Sequence, residues 1–420
     1  MIINKREVEF LLKNGFFHIF SSQVINKIAQ FALSVVVVRF LSKSDYGAWA
    51  YASNILSFFL LMSGIGVNSG LLQYASSSKN LDEKLSYFKY SLKVGGVVNS
   101  LIALVTFLVA LFVKLPVEGS NEVLRYLALF PVTSILFELI QIFLRADLKN
   151  KQFSLLTNIN TSAYFLFTLI LGYFFSLNGI VLSRYLSYIV SIIFGLYFSK
   201  YCWQSFGKVQ EIKAPKRKEF LTFSFVSALT NSISSILYLI DTLIVGMIIR
   251  SNVAVAAYKT ATLVPFSLNF IPLSVMTFAY PYFAMYKEDK TKIQFYYKKM
   301  IRSLFLINLL ISSTLFIFAP QVIRLLFGPN YGDAILPFRV LSIGYLVAGT
   351  FRIPSGNVIA SLGKVKVNLF NSIVSGTSNV VLDILLIKHY GSVGAAVATV
   401  IVFIISSFIS TSYLLKYLNS

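Results

Sequence analysis

Cysteine occurs once in the 420 residues, at Cys202, and histidine twice, at His18 and His389. One thiol excludes an intrachain disulfide and a thiolate metal cluster, and two distant histidines are too few for a zinc site. Charged side chains make up 13% of the chain, and acidic ones are the scarcer, with 16 Asp and Glu against 37 Lys and Arg. No glycine-rich phosphate loop, dinucleotide fingerprint or nucleophile triad occurs, so nucleotide-driven work and covalent catalysis lack a residue set. We expect no enzyme and no resident cofactor or metal. A cleavable signal peptide is also not expected, because "MIINKREVEFLLKNGFF" carries acidic residues ahead of its apolar stretch and no small-residue cleavage site.

What the chain has in excess is apolar surface. Hydrophobic residues are 56% of the total and mean hydropathy is +0.74, more than one soluble core needs. Uncharged or nearly uncharged runs, Val94 to Val113, Gln152 to Ser183, Ser303 to Ile323 and Tyr390 to Leu415, each reach the roughly 20 residues that cross a bilayer. Continuous runs do not fit a membrane β-barrel, whose strands are short and alternate. The expected fold class is an all-α integral membrane protein. Apolar windows between charged or Gly/Pro punctuation give twelve spans, near 15–38, 46–75, 86–113, 122–145, 153–175, 179–199, 219–249, 253–285, 299–319, 334–360, 367–388 and 391–415.

The net charge of +21 raises the question of nucleic acid, and its placement answers it. With the amino terminus in the cytoplasm, 25 Lys and Arg fall in inner segments and 8 on the outer side. This asymmetry is the positive-inside signature, so both termini are expected in the cytoplasm and no nucleic-acid partner is implied. The longest inner connection, "KYCWQSFGKVQEIKAPKRKEF" at 200–220, lies at the midpoint and holds an Ala-Pro break. Its basic cluster reads either as a solvated face or as a contact to anionic lipid.

A repeat test divides the chain at the same place. At an offset of 214 to 215, residues 137–158 lie over 351–372 and residues 176–191 over 391–406; at 209, "YGAWAYA" (46–52) lies over "VAAYKTA" (255–261). We therefore expect an N-terminal lobe at 1–200, a cytoplasmic linker at 201–218 and a C-terminal lobe at 219–420. Six spans per copy is an even number, so a pseudo-two-fold axis along the membrane normal should relate two six-helix lobes around a cleft.

Ionisable side chains at membrane depth are costly and are functional candidates by default. Four basic residues remain after both sides are counted: Lys27, Arg184, Lys259 and Arg352. In the first span Gln23, Lys27, Gln30 and Ser34 share a helix face. In the fourth, Ser134, Glu138, Gln141 and Arg145 share a stripe, where Glu138 either pairs with Arg145 or serves transport. In the seventh, Asn231, Ser234, Tyr238 and Asp241 align, and Lys259 follows on the eighth, so Asp241 and Lys259 form either a structural salt bridge or a coupling pair. Arg352 occupies the repeat position of Glu138, just before Pro354, and Pro265 and Pro272 break the eighth span. Asp383 is expected to pair with Lys388 near the outer surface. The cationic excess among these groups suits an anionic ligand, a phosphate or diphosphate.

The stretch "VVVVRFLSKSDYGAWAYASNI" (35–55), with its Arg39-Phe40-Leu41 and Asp45-Tyr46-Gly47 steps, resembles the first outer hairpin of the polysaccharide flippase family. This is the O-antigen, Wzx class of the multidrug/oligosaccharidyl-lipid/polysaccharide exporter superfamily. "SGIGVNSGLLQYAS" (63–76), "FLRADLKNKQF" (143–153) and "IASLGKVKV" (359–367) are similar to its second helix and two of its connections. The resemblance implies a flippase of the bacterial cytoplasmic membrane that moves polyprenyl-diphosphate-linked oligosaccharide, an O-antigen or capsule unit, to the outer leaflet by alternating access. Surrounding lipids, a polysaccharide polymerase and a chain-length regulator would be its partners. It further implies a cleft containing Gln23, Lys27, Asn54, Asn68, Asp241 and Lys259, with Lys27, Lys259 and Arg352 meeting the diphosphate and Gln30 and Arg184 nearby. Asp241 or Glu138 would carry a coupling proton or sodium ion. Arg39 and Lys43 would be headgroup anchors or gate residues. A multidrug exporter of the same superfamily, a teichoic acid or lipid II flippase and a non-transporting scaffold for polysaccharide assembly are the competing expectations.

Overall fold

A computed structural model describes residues 16–78 and 80–419, with side chains for all of these except 16–23, Gln204, Ser234 and Leu237. Among the described residues every regular element is helical. In chain order the α-helices are α1 (Phe16–Phe40), α2 (Lys43–Leu60), α3 (Val67–Ser77), α4 (Leu81–Phe112), α5 (Ser120–Tyr126), α6 (Phe130–Ala146), α7 (Asn150–Phe198) and α8 (Trp203–Phe206). They continue with α9 (Ala214–Ile249), α10 (Asn252–Ser267), α11 (Phe270–Met285), α12 (Lys290–Ile317), α13 (Ala319–Phe327), α14 (Ile335–Val347), α15 (Ile353–Ser361) and α16 (Val365–Asn419). Among the described residues seven segments are long and apolar enough to cross a bilayer, and up to nine if each of two bent helix pairs is one span.

Two of these segments are far longer than a bilayer needs. Helix α7 has 49 residues and α16 has 55, and each doubles back. In α7, Asn160 Nδ2 donates to Ser191 Oγ at 3.0 Å, although 31 positions along a straight helix would separate them by about 46 Å. The fold-back is at Ser176, whose backbone is non-helical. In α16 the same is done by Gly391, and Asn371 Nδ2 reaches Ser410 Oγ at 2.7 Å. Each element is thus a pair of antiparallel limbs, 150–175 with 177–198 and 365–390 with 392–419, broken where the sequence separates its apolar windows.

The second expected span is interrupted, which its composition conceals. Between α2 and α3 the Ser63–Gly66 turn carries positive φ at Gly64, Ile65 and Gly66. Backbone groups freed at membrane depth must be satisfied by protein. Asn99 of α4 does this: the Gly64 N–H donates to its Oδ1 at 2.7 Å, while its Nδ2 donates to the Pro131 carbonyl at 2.7 Å.

The chain forms two compact units. One comprises Met1–Leu41, Ile55–Leu115 and Asn121–Ser232, and the other Ser42–Asn54, Pro116–Ser120 and Ile233–Ser420. In the first, the core gathers Leu71, Leu85, Ile135, Phe143, Leu156 and Phe220. Gly70 of α3 admits Phe220 and Ser224 of α9 so closely that a Cβ would overlap both. The segment 199–213 is fastened to this unit by buried Cys202, Val209 and Ile212, by Ser86 Oγ to the Gln210 carbonyl (2.9 Å) and by Lys216 with Glu83 (2.7 Å). It bounds a cavity of about 760 Å³.

In the second unit, the hairpin that opens α2 starts with a capping pair. Ser42 Oγ and Asp45 Oδ2 are 2.7 Å apart and the Asp45 N–H returns to Ser42 Oγ at 3.1 Å. Lys43 pairs with Asp333 at 2.6 Å, donates to the Asn330 carbonyl at 2.8 Å and lies over the Tyr331 ring. Gly246 of α9 receives the Tyr51 ring where any side chain would collide with it.

Candidate functional site

In the second unit the polar residues of α9, α10 and both limbs of α16 meet in an apolar interior. Asp241 on α9 is 2% exposed. Its Oδ2 accepts from the Tyr258 hydroxyl of α10 and from Thr399 Oγ1 of α16, each at 2.6 Å. Asp383 on the other α16 limb is fully buried and interacts directly with Asp241. Asn379, one turn before Asp383, is buried beside them. Four oxygens here have no hydrogen bond: Asp241 Oδ1, both oxygens of Asp383 and Asn379 Oδ1. Carboxylates so enclosed need a compensating charge. Among the described residues no group of three His, Cys, Asp or Glu assembles, so the set suits a proton or a hard monovalent cation held by two carboxyls and neutral oxygens, and is too poor in strong ligands for a transition metal.

Two ion pairs expected in this unit are absent among the described residues. Asp241 does not reach Lys259: hydroxyl donors occupy its Oδ2, and Lys259 on α10 senses Asp241 from beyond ion-pair distance. Asp383 does not pair with Lys388, because it points into the unit toward Asp241 while Lys388 is exposed. Asp241 was in the expected set as a coupling residue, whereas its partner Asp383 was assigned to Lys388, and Tyr258, Thr399 and Asn379 were outside that set. The sequence signal for Asn379 and Asp383 is the row Asn371, Ser375, Asn379 and Asp383, spaced by four on one face of a helix whose other faces are largely apolar.

Arg352 ends a π-helical turn, Ala348–Arg352, that links α14 to α15 just ahead of Pro354. Such turns re-aim side chains and recur at functional sites. Its guanidinium donates to the Tyr238 hydroxyl at 2.8 Å and lies 5.1 Å from the Phe403 ring and 5.6 Å from the Tyr238 ring. Among the described residues no carboxylate pairs with it. Phe266 packs on both Tyr238 and Phe403, so three aromatic rings hold the cation in place. Asn54, also in this unit, is buried with neither its amide nitrogen nor its oxygen bonded.

In the first unit Asn68 of α3 donates to Glu138 of α6 at 2.6 Å, and the Asn68 oxygen is buried without a partner. Glu138 does not pair with Arg145, which instead lies over the Phe153 ring at 5.6 Å. Arg184 stacks over Phe130 at 4.3 Å and faces Tyr164 at 6.0 Å. On α1, Lys27 and Gln30 are exposed, and Asn26, outside the expected set, is the buried polar residue, bonded to Asn158 at 2.8 Å. The Gln23 side chain lies outside the described ones. The expected residues therefore distribute over two units: Gln30, Lys27, Asn68, Glu138 and Arg184 in one, Asn54, Asp241, Lys259 and Arg352 in the other.

Comparison with known proteins places this arrangement. A family described as polysaccharide biosynthesis protein matches residues 36–336. The capsular polysaccharide biosynthesis protein CapF of Staphylococcus aureus is 25% identical over 410 residues, covering 93% of this chain and 96% of that protein. An uncharacterized membrane protein of Methanocaldococcus jannaschii is 23% identical over 420 residues, covering 93% of this chain and 81% of that one. In structure the chain is similar to the lipid II flippase MurJ in an inward closed conformation, with a TM-score of 0.75 at 15% identity over 96% of this chain and 87% of that one. It is also similar to an inward-facing multidrug resistance MATE family transporter of the MOP superfamily, with a TM-score of 0.74 at 16% identity over 94% of each. Matched over well more than half its length and sharing this all-α, two-lobe membrane fold, the chain belongs to the polysaccharide biosynthesis protein family.

Proposed function

We propose that this protein is a flippase for polyprenyl-diphosphate-linked oligosaccharides, moving O-antigen or capsule repeat units from the inner to the outer leaflet by alternating access, with a proton or sodium gradient as the driving force. Arg352 carries the reading. A guanidinium held by three aromatic rings and a tyrosine hydroxyl, without a carboxylate among the described residues, keeps N–H donors available for an anion. A diphosphate matches it: the planar fork offers paired hydrogen bonds to phosphate oxygens, and away from bulk water these strengthen. Lys259 of the same unit supplies a point charge for the same headgroup, and Lys27 of α1 is a cationic candidate of the first unit. Asn54, Asn68 and Gln30 supply amides suited to sugar hydroxyls. The bacterial inner membrane, with both chain termini in the cytoplasm, is the setting that the distribution of Lys and Arg supports.

The acid pair supports coupling. Asp241 and Asp383 are ionised side by side only if a cation lies against their open oxygens, so occupancy of this site and the packing of α9, α10 and α16 depend on each other. Tyr258 and Lys259 are neighbours on α10, which lets the cation site and a headgroup-binding lysine bias one helix.

The test is a deletion strain complemented with variants at matched protein level. Loss of the gene should make lipid-linked precursor accumulate on the cytoplasmic side; Arg352→Ala should fail to restore surface polysaccharide and Arg352→Lys should restore it in part. Full restoration by Arg352→Ala would overturn the headgroup assignment. The acid pair equally suits a multidrug exporter that binds cationic compounds; a deletion that changes drug susceptibility without accumulating precursor would select that reading instead.

A further inference from the structure

At the end of the second unit where basic residues concentrate, three segments converge. They are the connection into α12, the α15–α16 turn and the last turns of α16. Lys290 Nζ lies 4.8 Å from the centre of the Tyr417 ring and Lys364 Nζ lies 5.3 Å from the same centre, so two ammonium groups from separate loops sit within about 10 Å of each other on one tyrosine. Tyr413 stacks against Tyr417 with the planes 6° apart and steadies that ring. The nearby acids are already engaged: Asp289 with Lys292 at 2.9 Å and Glu288 with Lys287 at 3.8 Å. Among the described residues no carboxylate pairs with Lys290 or Lys364. Nine Lys and Arg occupy 286–302, 361–367 and 413–419 against two acids, so the two ammoniums lie in a field of their own sign.

Like charges brought together without a counter-charge are costly, and an anion between them removes that cost. The neighbourhood says which kind. Large apolar side chains are left open beside the lysines, with Met285 63%, Phe295 62%, Val365 60% and Phe370 59% exposed. Cations next to exposed apolar surface belong at the level of lipid headgroups, where stems and rings meet acyl chains and the charged tips meet phosphate.

We propose that Lys290, Lys364 and Tyr417 form a clamp for the headgroup phosphate of an anionic phospholipid, a structural lipid of the leaflet at this end and not the translocated molecule. The two ammonium groups bracket the phosphate, and the exposed apolar residues receive the acyl chains. Bound there, the lipid ties the entry of α12 to the end of α16, two elements of one unit with no covalent link nearby. The inference is independent of what the protein transports.

The experiment uses the full chain in nanodiscs that contain no polyprenyl lipid, made with phosphatidylcholine alone or with added phosphatidylglycerol. The readouts are lipid retention after detergent extraction, by native mass spectrometry, and melting temperature. Wild-type protein should retain phosphatidylglycerol selectively and melt higher in its presence. Lys290→Gln combined with Lys364→Gln should weaken that retention about thirty-fold while melting like wild type in phosphatidylcholine. Lys298→Gln combined with Lys299→Gln removes the same charge from the same exposed stretch without touching the clamp and should keep the selectivity; Tyr417→Leu should reduce it. Equal retention of both lipids by wild type, or an equal loss in the Lys298 and Lys299 variant, would overturn the clamp.

Discussion

Ser176 and Gly391 stand 215 positions apart and make the same turn, with φ 48°, ψ −124° at Ser176 and φ 58°, ψ −138° at Gly391. One repeat places glycine at the fold-back and the other places a residue with a Cβ in a region that only glycine occupies freely. Ser176→Gly should therefore raise thermal stability, by about 1 kcal/mol after the entropy of the added glycine. Gly391→Ser should lower it by about 1 to 3 kcal/mol. Melting in detergent measures both. A Ser176→Gly protein no more stable than wild type would mean that the turn relaxes around the serine.

The repeat extends into buried polar contacts. Asn99 on α4 supports the broken segment between α2 and α3, and Asn308 on α12 stands in a similar place beside the π-helical turn: its Nδ2 donates to Thr350 at 3.2 Å and it accepts from the Tyr345 hydroxyl at 2.8 Å. Leu fills either site by volume but strands the partners. Asn99→Leu leaves the Gly64 N–H and the Pro131 carbonyl unbonded at membrane depth, a cost of about 1 to 3 kcal/mol for each group. Asn99→Leu should destabilise more than Asn308→Leu, because it orphans backbone groups that cannot rotate to new partners whereas hydroxyls can.

These contacts explain what was legible in the sequence. Apolar windows and basic loops reveal membrane helices and even the turns at Ser176 and Gly391, because burial in lipid is a property of whole segments. Pairing is not such a property. Asp241 and Asp383 are 142 positions apart with apolar surroundings, and only the way the limbs of α16 fold brings them together. Nearest-neighbour reasoning joined Asp383 to Lys388 and Glu138 to Arg145 because it weighs separation along one helix. The packing instead joins Glu138 to Asn68 across two helices, where a neutral amide satisfies a carboxylate without a second buried charge. The break at Ser63–Gly66 is signalled by two glycines two positions apart, a cue hidden inside an apolar window long enough to read as one span.

Asp241→Asn should raise thermal stability in the absence of sodium and abolish any sodium-dependent rise. Two carboxyls held together in a low-dielectric interior need a cation or a proton between them, and the neutral amide removes that need while still accepting from Tyr258 and Thr399. Melting curves with sodium or choline chloride at equal ionic strength separate the cases. A sodium shift that survives in both Asp241→Asn and Asp383→Asn would exclude this pair as the cation site.

Cys202 offers a pH-dependent test of how the segment 199–213 is docked. Burial pushes its thiol from the ordinary 9.0 up to about 11, and it lies outside the spanning segments, in the stretch that fastens 199–213 to the first unit. A raised pKa in the folded state means that the folded chain holds the proton more tightly. The thiol's contribution to stability is therefore complete below pH 9 and is lost as pH rises from 9 toward 11. At pH 7.5 the native protein should react with maleimide much more slowly than a denatured sample, since neither thiolate nor access is available. Loosening the segment by Lys216→Ala, which breaks the pair with Glu83 and leaves Cys202 itself untouched, should speed the reaction at pH 7.5 without altering the melting of the helices. Equal labelling rates in the two proteins would show that the segment stays docked without that pair, through its buried side chains and the hydrogen bond from Ser86 to the Gln210 carbonyl.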